Sequence, residues 1–129
     1  MCNEKSSVQS LSKSFALQII RLYTHLASNK KEFVLSQQLL RSGTSIGANI
    51  KEAQFAQSKA DFIAKMYIAL KESGETDYWL ELLHEAGYLT QKEFESIITP
   101  CQVIIRMLSA ITKTARINKS HTPHSTLHI

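Results

Sequence analysis

Few side chains in this sequence are suited to chemistry, and their spacing decides against most of it. Glu81, His84 and Glu85 fall within about one helical turn. A Glu-x-x-His pair is a di-iron ligand pattern, but such a site draws that motif from two helices. Glu81-Leu82-Leu83-His84 occurs once, and Glu81 and Glu85 turn away from the apolar face of their segment, so a solvated acidic face is the expectation. Gly43 and Gly47 follow no strand and make no phosphate loop. Ser45 has no base with a supporting acid at a telling spacing. Cys2 and Cys101 lack metal-type spacing, and Cys101 sits in an apolar helical pattern that suits a buried free thiol. His121, His124 and His128 would need a helix to converge on a metal, and Pro123 opposes one. The expectation is a non-enzyme with no catalytic residue, metal or cofactor.

The remaining polar chemistry is ionic. Arg41, Ser45, Asn49 and Glu52 step by four, four and three, a polar line beside an apolar stripe. Glu72 and Glu75 lie next to Trp79 on the following segment. Pairing of Arg41 with Glu75 at a partly buried seam would fix helix register; the competing reading is a solvated polar face. The cations placed to meet phosphate are Arg106 and Lys113, opposite the apolar stripe of the last segment, and Arg116 beside them. Lys13, Arg21, Lys51 and Lys59 are further candidates.

Four periodic segments must position these groups. The first runs Leu11, Phe15, Ile19, Leu22, Leu26 and ends at Ser28-Asn29-Lys30-Lys31. The second runs Leu35, Leu39, Gly43, Ile46, Ile50, Ala53. Each glycine costs a helix interior about 1 kcal/mol relative to alanine. Close approach of a neighbouring helix would offset that, and a loop is the alternative. Ser58-Lys59-Ala60-Asp61 resembles a capping box opening the third segment, where Phe62, Met66, Ala69, Ser73, Thr76 and Leu80 share a face. From Tyr78 to Leu83 apolar residues go nearly all the way round, so the flank with Trp79 and Leu82 is expected at a subunit interface or against a partner, and Tyr78, Trp79 and Leu82 are the oligomer-interface candidates. Gly87 closes this helix, and Thr90-Gln91-Lys92-Glu93 caps a fourth with the stripe Phe94, Ile97, Cys101, Ile104, Leu108, Ile111, Ala115. Pro100 either kinks that helix or starts it.

These segments predict an all-α, up-down-up-down antiparallel four-helix bundle over residues 1–117, followed by a flexible tail over 118–129. At 129 residues the chain suits one domain with a real core. No apolar run approaches the length of a membrane span, and Met1 to Ser7 lacks a signal-peptide core, so the expected location is cytoplasmic. The net charge of +4 is uneven: residues 1–57 and 88–129 are basic, and 58–87 carry six acids against three lysines.

Two stretches resemble the signatures of a known family. Gln38-Leu39-Leu40-Arg41-Ser42-Gly43-Thr44-Ser45-Ile46-Gly47-Ala48-Asn49-Ile50-Lys51-Glu52-Ala53 is similar to the first signature of the bacterial four-helix bundle proteins encoded in intervening sequences of large-subunit rRNA genes. Ala69 to Leu83 resembles the second, and the likeness spans roughly Leu11 to Arg116. The family is in turn similar to the accessory variability protein of diversity-generating retroelements, a pentameric barrel that binds nucleic acid and a reverse transcriptase. The resemblance implies a homopentamer of bundles that binds nucleic acid or serves as a scaffold, and it carries no catalytic residues.

Two functional expectations follow. One is an oligomer that binds RNA or DNA through the phosphate backbone, with steep salt dependence. No aromatic-basic interleaving marks a base-stacking surface, and no recognition helix is present. The other is a protein-interaction scaffold or accessory subunit, for example of a reverse transcriptase, with little nucleic-acid contact of its own.

Overall fold

The computed structural model describes residues 7–121, with side chains described as far as residue 117. Four helices follow one another: α1 (Val8–Ser28), α2 (Val34–Ala53), α3 (Lys59–Glu85) and α4 (Gln91–His121). The connections between them are each five residues long, and links this short make sequence neighbours antiparallel. Helix α1 packs on α2 and α4, and α3 packs on α2 and α4; among the described residues the diagonal pairs have no Cα atoms within 8 Å of each other. This is an up-down-up-down bundle around one core.

Local chemistry fixes each helix end. The Ser7 hydroxyl accepts from the Ser10 N–H at 3.1 Å and starts α1. In α4, Thr90 Oγ1 accepts from the Glu93 N–H at 3.1 Å while Glu93 Oε1 accepts from the Thr90 N–H at 2.8 Å. That is the complete capping box expected there. At α3 the box is looser. Ser58 Oγ accepts from the Asp61 N–H, but Asp61 Oδ2 accepts from Gln57, one residue upstream of the cap. Gly87, at φ 91°, ends α3. Its N–H bonds the His84 carbonyl and that of Tyr88 bonds Leu83, a Schellman closure that a residue with a Cβ adopts only under strain.

Helix α2 has the least expected cap. Phe33 stands at the N-cap and supplies no side-chain bond. Glu32 does the work from one residue upstream. Its Oε2 accepts from Val34 at 3.2 Å and Leu35 at 2.9 Å, and its Oε1 accepts from Ser36 at 2.7 Å. The Ser36 hydroxyl donates back to the Glu32 carbonyl at 2.7 Å. A carboxylate at a helix N-terminus meets both the orphan donors and the positive end of the dipole. The left-handed Lys31, at φ 57°, lies at the turn that delivers it.

The helix reading of Ser42–Ala48 holds, and its reason is visible. Gly43 is buried, and a Cβ there would lie 2.9 Å from both Cγ1 and Cγ2 of Ile19 on α1. At Gly47 a Cβ would stand 3.4 Å from the Ser12 hydroxyl and 3.5 Å from the Ser12 carbonyl. The two backbones cross closely there, with no room for a side chain at Gly43 and ordinary van der Waals contact for a Cβ at Gly47. The core on either side is built from Phe15, Ile19, Leu39, Ile46, Ile50, Met66, Leu80, Leu83, Ile104 and Leu108. Between α2 and α3 the core holds a polar pair, with the Thr76 and Ser42 hydroxyls 2.9 Å apart. Between α3 and α4 the Cys101 thiol donates to the Ser73 carbonyl at 3.6 Å.

Helix α4 passes through Pro100 without interruption, so the restart alternative falls. It also runs to His121, four residues beyond the expected end of the bundle at 117. Cys2, His124 and His128 lie outside the described residues. By length and composition α4 is apolar enough to cross a membrane, which contradicts the expectation that no segment would be. It places Ile97, Cys101, Ile104, Leu108 and Thr112 in the bundle core and Glu95, Arg106 and Lys113 on its exposed side, the distribution of an amphipathic core helix.

Candidate functional site

The polar line of α2 is tied to α3 at both ends. At one end Arg41 Nη2 donates to Glu75 Oε2, and Arg41 Nη1 lies 3.4 Å from Glu72 Oε1. The Trp79 indole N–H donates to the same Glu75 oxygen at 2.9 Å. That N–H, then the Arg41 guanidinium, hold the Glu75 carboxyl below its ordinary range, against an opposing push from burial. The Glu75 hydrogen bond in turn raises the Arg41 pKa. At the other end Glu52 Oε1 meets Lys65 Nζ at 3.0 Å. The middle two residues bond within α2: Ser45 Oγ donates to the Arg41 carbonyl at 2.6 Å and Asn49 Nδ2 to the Ser45 carbonyl at 2.8 Å. The seam is thus two ion-pair clusters about three helical turns apart, with a self-satisfied stretch between them.

Trp79 is partly buried and packs against the core, as does the core-facing side of this seam; Leu82 is also half-buried. Of the three residues expected at an oligomer interface, Tyr78 is the exposed one, its ring 5.4 Å from that of Trp79.

The seven candidate cations, Lys13, Arg21, Lys51, Lys59, Arg106, Lys113 and Arg116, are all exposed, but they do not form one patch. Lys13 of α1 and Lys51 of α2 meet at the glycine crossing, where they line an open groove of about 590 Å³ with Ser7, Ser10, Ser12 and Thr44. The Ser12 and Thr44 hydroxyls already donate to the Gln9 and Leu40 carbonyls, so the lysines are the groove's strong donors. Arg21 shares a shallower groove with Glu93 of α4. Arg116 lies 5.9 Å above the Tyr67 ring, a cation–π contact between α4 and α3. Arg106 and Lys113 stand two turns apart on the outer side of α4.

The groups closest to metal or nucleophile chemistry have structural roles. His84 stacks on Phe94, with centroids 4.2 Å apart and planes 8° apart. Burial, then the Asp77 charge, raises the Glu81 pKa. No group of three or more metal-ligating side chains occurs among the described residues. Cys101 is a free, buried thiol whose pKa burial pushes up to about 12, which leaves essentially no nucleophilic thiolate at neutral pH.

Two arrangements had no clear signal in the sequence. The Glu32 cap lies one residue upstream of where N-capping side chains usually stand. His25 meets Asn29 through Nδ1 at 2.8 Å, and its Nε2 lies 3.8 Å from Glu93 of α4, a pairing across the bundle that no local pattern announces.

Four helices in cyclic contact around one core define an antiparallel four-helix bundle protein with basic side chains on several outer faces. The chain belongs to the 23S rRNA-intervening sequence protein family, whose model matches residues 4–110. It is also similar to a protein of unknown function from the S23 ribosomal protein family of Bacteroides thetaiotaomicron, known from a crystal structure. The two are 53% identical, the likeness covers 83% of this chain and 99% of that one, and the TM-score is 0.82. No curated protein matches the chain.

Proposed function

We propose that this chain is a non-enzymatic, cytoplasmic protein that assembles into a ring-like homo-oligomer, a pentamer by family resemblance, and binds RNA or DNA through the phosphate backbone. The meeting of Lys13 and Lys51 in an open groove between α1 and α2 is the observation that carries this reading. Arg106, Lys113 and Arg116 on the outside of α4 extend the basic surface. Each patch is small, but symmetry repeats it, and affinity grows with the number of phosphates neutralised. The family name refers to an intervening sequence of 23S rRNA and names no ligand, so RNA and DNA are tried side by side. No cofactor is needed.

The test uses structured RNA and duplex DNA at several salt concentrations. Wild type should bind with affinity that falls steeply as salt rises. Reversal of Arg106, Lys113 and Arg116 to Glu, or of Lys13 and Lys51 to Glu, should reduce binding at least tenfold without changing oligomer mass. Unchanged binding in both variants sinks the assigned surfaces. No binding by wild type at low salt leaves the second reading, a protein-interaction scaffold or accessory subunit. That reading is favoured by one observation of its own, the apolar residues left exposed on the outside of α3.

A further inference from the structure

Away from the helix ends, two helices of the bundle leave large apolar side chains exposed. On α1 these are Leu17 and Ile20, 48% and 44% exposed. On α3 they are Tyr67 and Tyr78, 41% and 53% exposed, which lie eleven residues apart and therefore on one side of the helix. Between the two tyrosines sits Gly74, with nothing of its own chain within 4 Å of where a Cβ would be. A mid-helix glycine weakens a helix unless something uses the space, and nothing in the monomer does.

The charges around the two faces are opposite. Helix α1 carries Lys13 and Arg21 and no acid at all. Helix α3 has six acids against three lysines; Glu72 and Glu75 are taken by Arg41 of α2, which leaves Asp77, Glu81 and Glu85 around its Tyr78 end, while Arg116 of α4 lies over Tyr67 at the other. The faces also lie on opposite sides of the molecule, because α1 and α3 are a diagonal pair of the bundle.

We infer that the outer face of α3 docks on the outer face of α1 of a second copy of this chain. Tyr67 and Tyr78 would meet Leu17 and Ile20, the Gly74 gap would admit the neighbouring helix, and Asp77, Glu81 and Glu85 would face Arg21. Pairing α3 with α3, or α1 with α1, would set like charges together, which disfavours the two-fold alternatives. An interface between two different faces is heterologous, and such contacts repeat from copy to copy until a ring closes. This deepens the oligomeric half of the proposed function and rests on it. On this assignment Arg21 serves the subunit boundary rather than phosphate.

Mixing decides it. One variant carries Leu17→Glu and Ile20→Glu; the other carries Tyr67→Glu and Tyr78→Glu. All four positions are exposed, so both variants should keep the helical circular dichroism of wild type. Should either lose it, serine at the same positions gives the milder pair. By light scattering, wild type should show an oligomer and each variant alone a monomer. An equimolar mixture should show a dimer, because only one intact α1 face and one intact α3 face remain per pair. A mixture that stays monomeric, or a variant that keeps the wild-type mass, overturns the assignment of faces. A wild type that is itself monomeric at high concentration overturns the oligomeric reading beneath it.

Discussion

The two flanks of α2 solve the same packing problem in opposite ways. Toward α1 the helix has no side chain to spare: Gly43 and Gly47 let Ile19 and Ser12 come within van der Waals reach of its backbone. Toward α3 it is polar, with the Ser42–Thr76 hydroxyl pair inside and Arg41–Glu72/Glu75 and Glu52–Lys65 outside. The first flank is held by shape, and at Gly43 added atoms have nowhere to go. The second is held by charges that are partly solvated, which position the helices and add little net stability.

That contrast sets the order of expected effects. Gly43→Val should cost the most, about 3 kcal/mol in denaturant unfolding, because its branched side chain must displace the Cγ atoms of a fully buried isoleucine. Pairing Gly43→Ala with Ile19→Ala should then give a total well below the sum of the two single losses. Strict additivity there would mean the crossing is looser than described. Gly47→Ala should stay within about 1 kcal/mol of wild type, since its Cβ meets only the edge of Ser12 and the helix gains propensity.

Glu32→Ala should cost about 2 kcal/mol, the upper range for a lost cap, because three N–H groups at the α1–α2 junction lose their acceptor together. Across the polar flank the effects shrink. A cycle of Arg41→Ala and Glu75→Ala should show a coupling of about 0.5–1 kcal/mol, in keeping with a half-exposed pair. A coupling as large as the Gly43 effect would overturn the distinction between the two flanks.

The smallest effect is one of pH. Glu75 has a folded-state pKa below its ordinary value of about 4.5, so the native state binds fewer protons than the unfolded chain as pH falls through that range. Its contribution is complete above that ordinary value and is lost as pH drops through the lowered one. Wild type should therefore lose more stability than Glu75→Gln between pH 5 and pH 3, by a few tenths of a kcal/mol for a partly solvated pair. Parallel pH profiles would remove Glu75 from the seam's energetics.

Much of this was legible in the residues. Four apolar stripes gave four helices, because a period of three and four has one geometric meaning. The glycines announced a close crossing, since a helix keeps such residues at a cost that packing must offset. Spacing also brought Arg41 toward Glu75, and Thr90 toward Glu93. What periodicity does not encode is which neighbour a face will meet. Lys13 and Lys51 share a groove only because α1 and α2 cross at Gly47. Tyr67 finds Arg116 only because α4 returns along α3. The Glu32 cap escaped for a different reason. Capping patterns name short polar residues at the N-cap, and here a long carboxylate reaches in from the position before it. The end of α4 was placed early because Asn118 to His121 lack an apolar stripe, although backbone bonds continue the helix without one.

Cys101 gives the bundle a clock. Its thiol is fully buried at the α3–α4 contact and almost wholly protonated at neutral pH, so an alkylating reagent finds it only when those two helices part. In a chain with Cys2 replaced by serine, the rate of labelling would count openings of the α3–α4 contact. Run with and without RNA, the same count would register whether a bound ligand stills that motion, and no foreign dye or tag would be needed to keep the time.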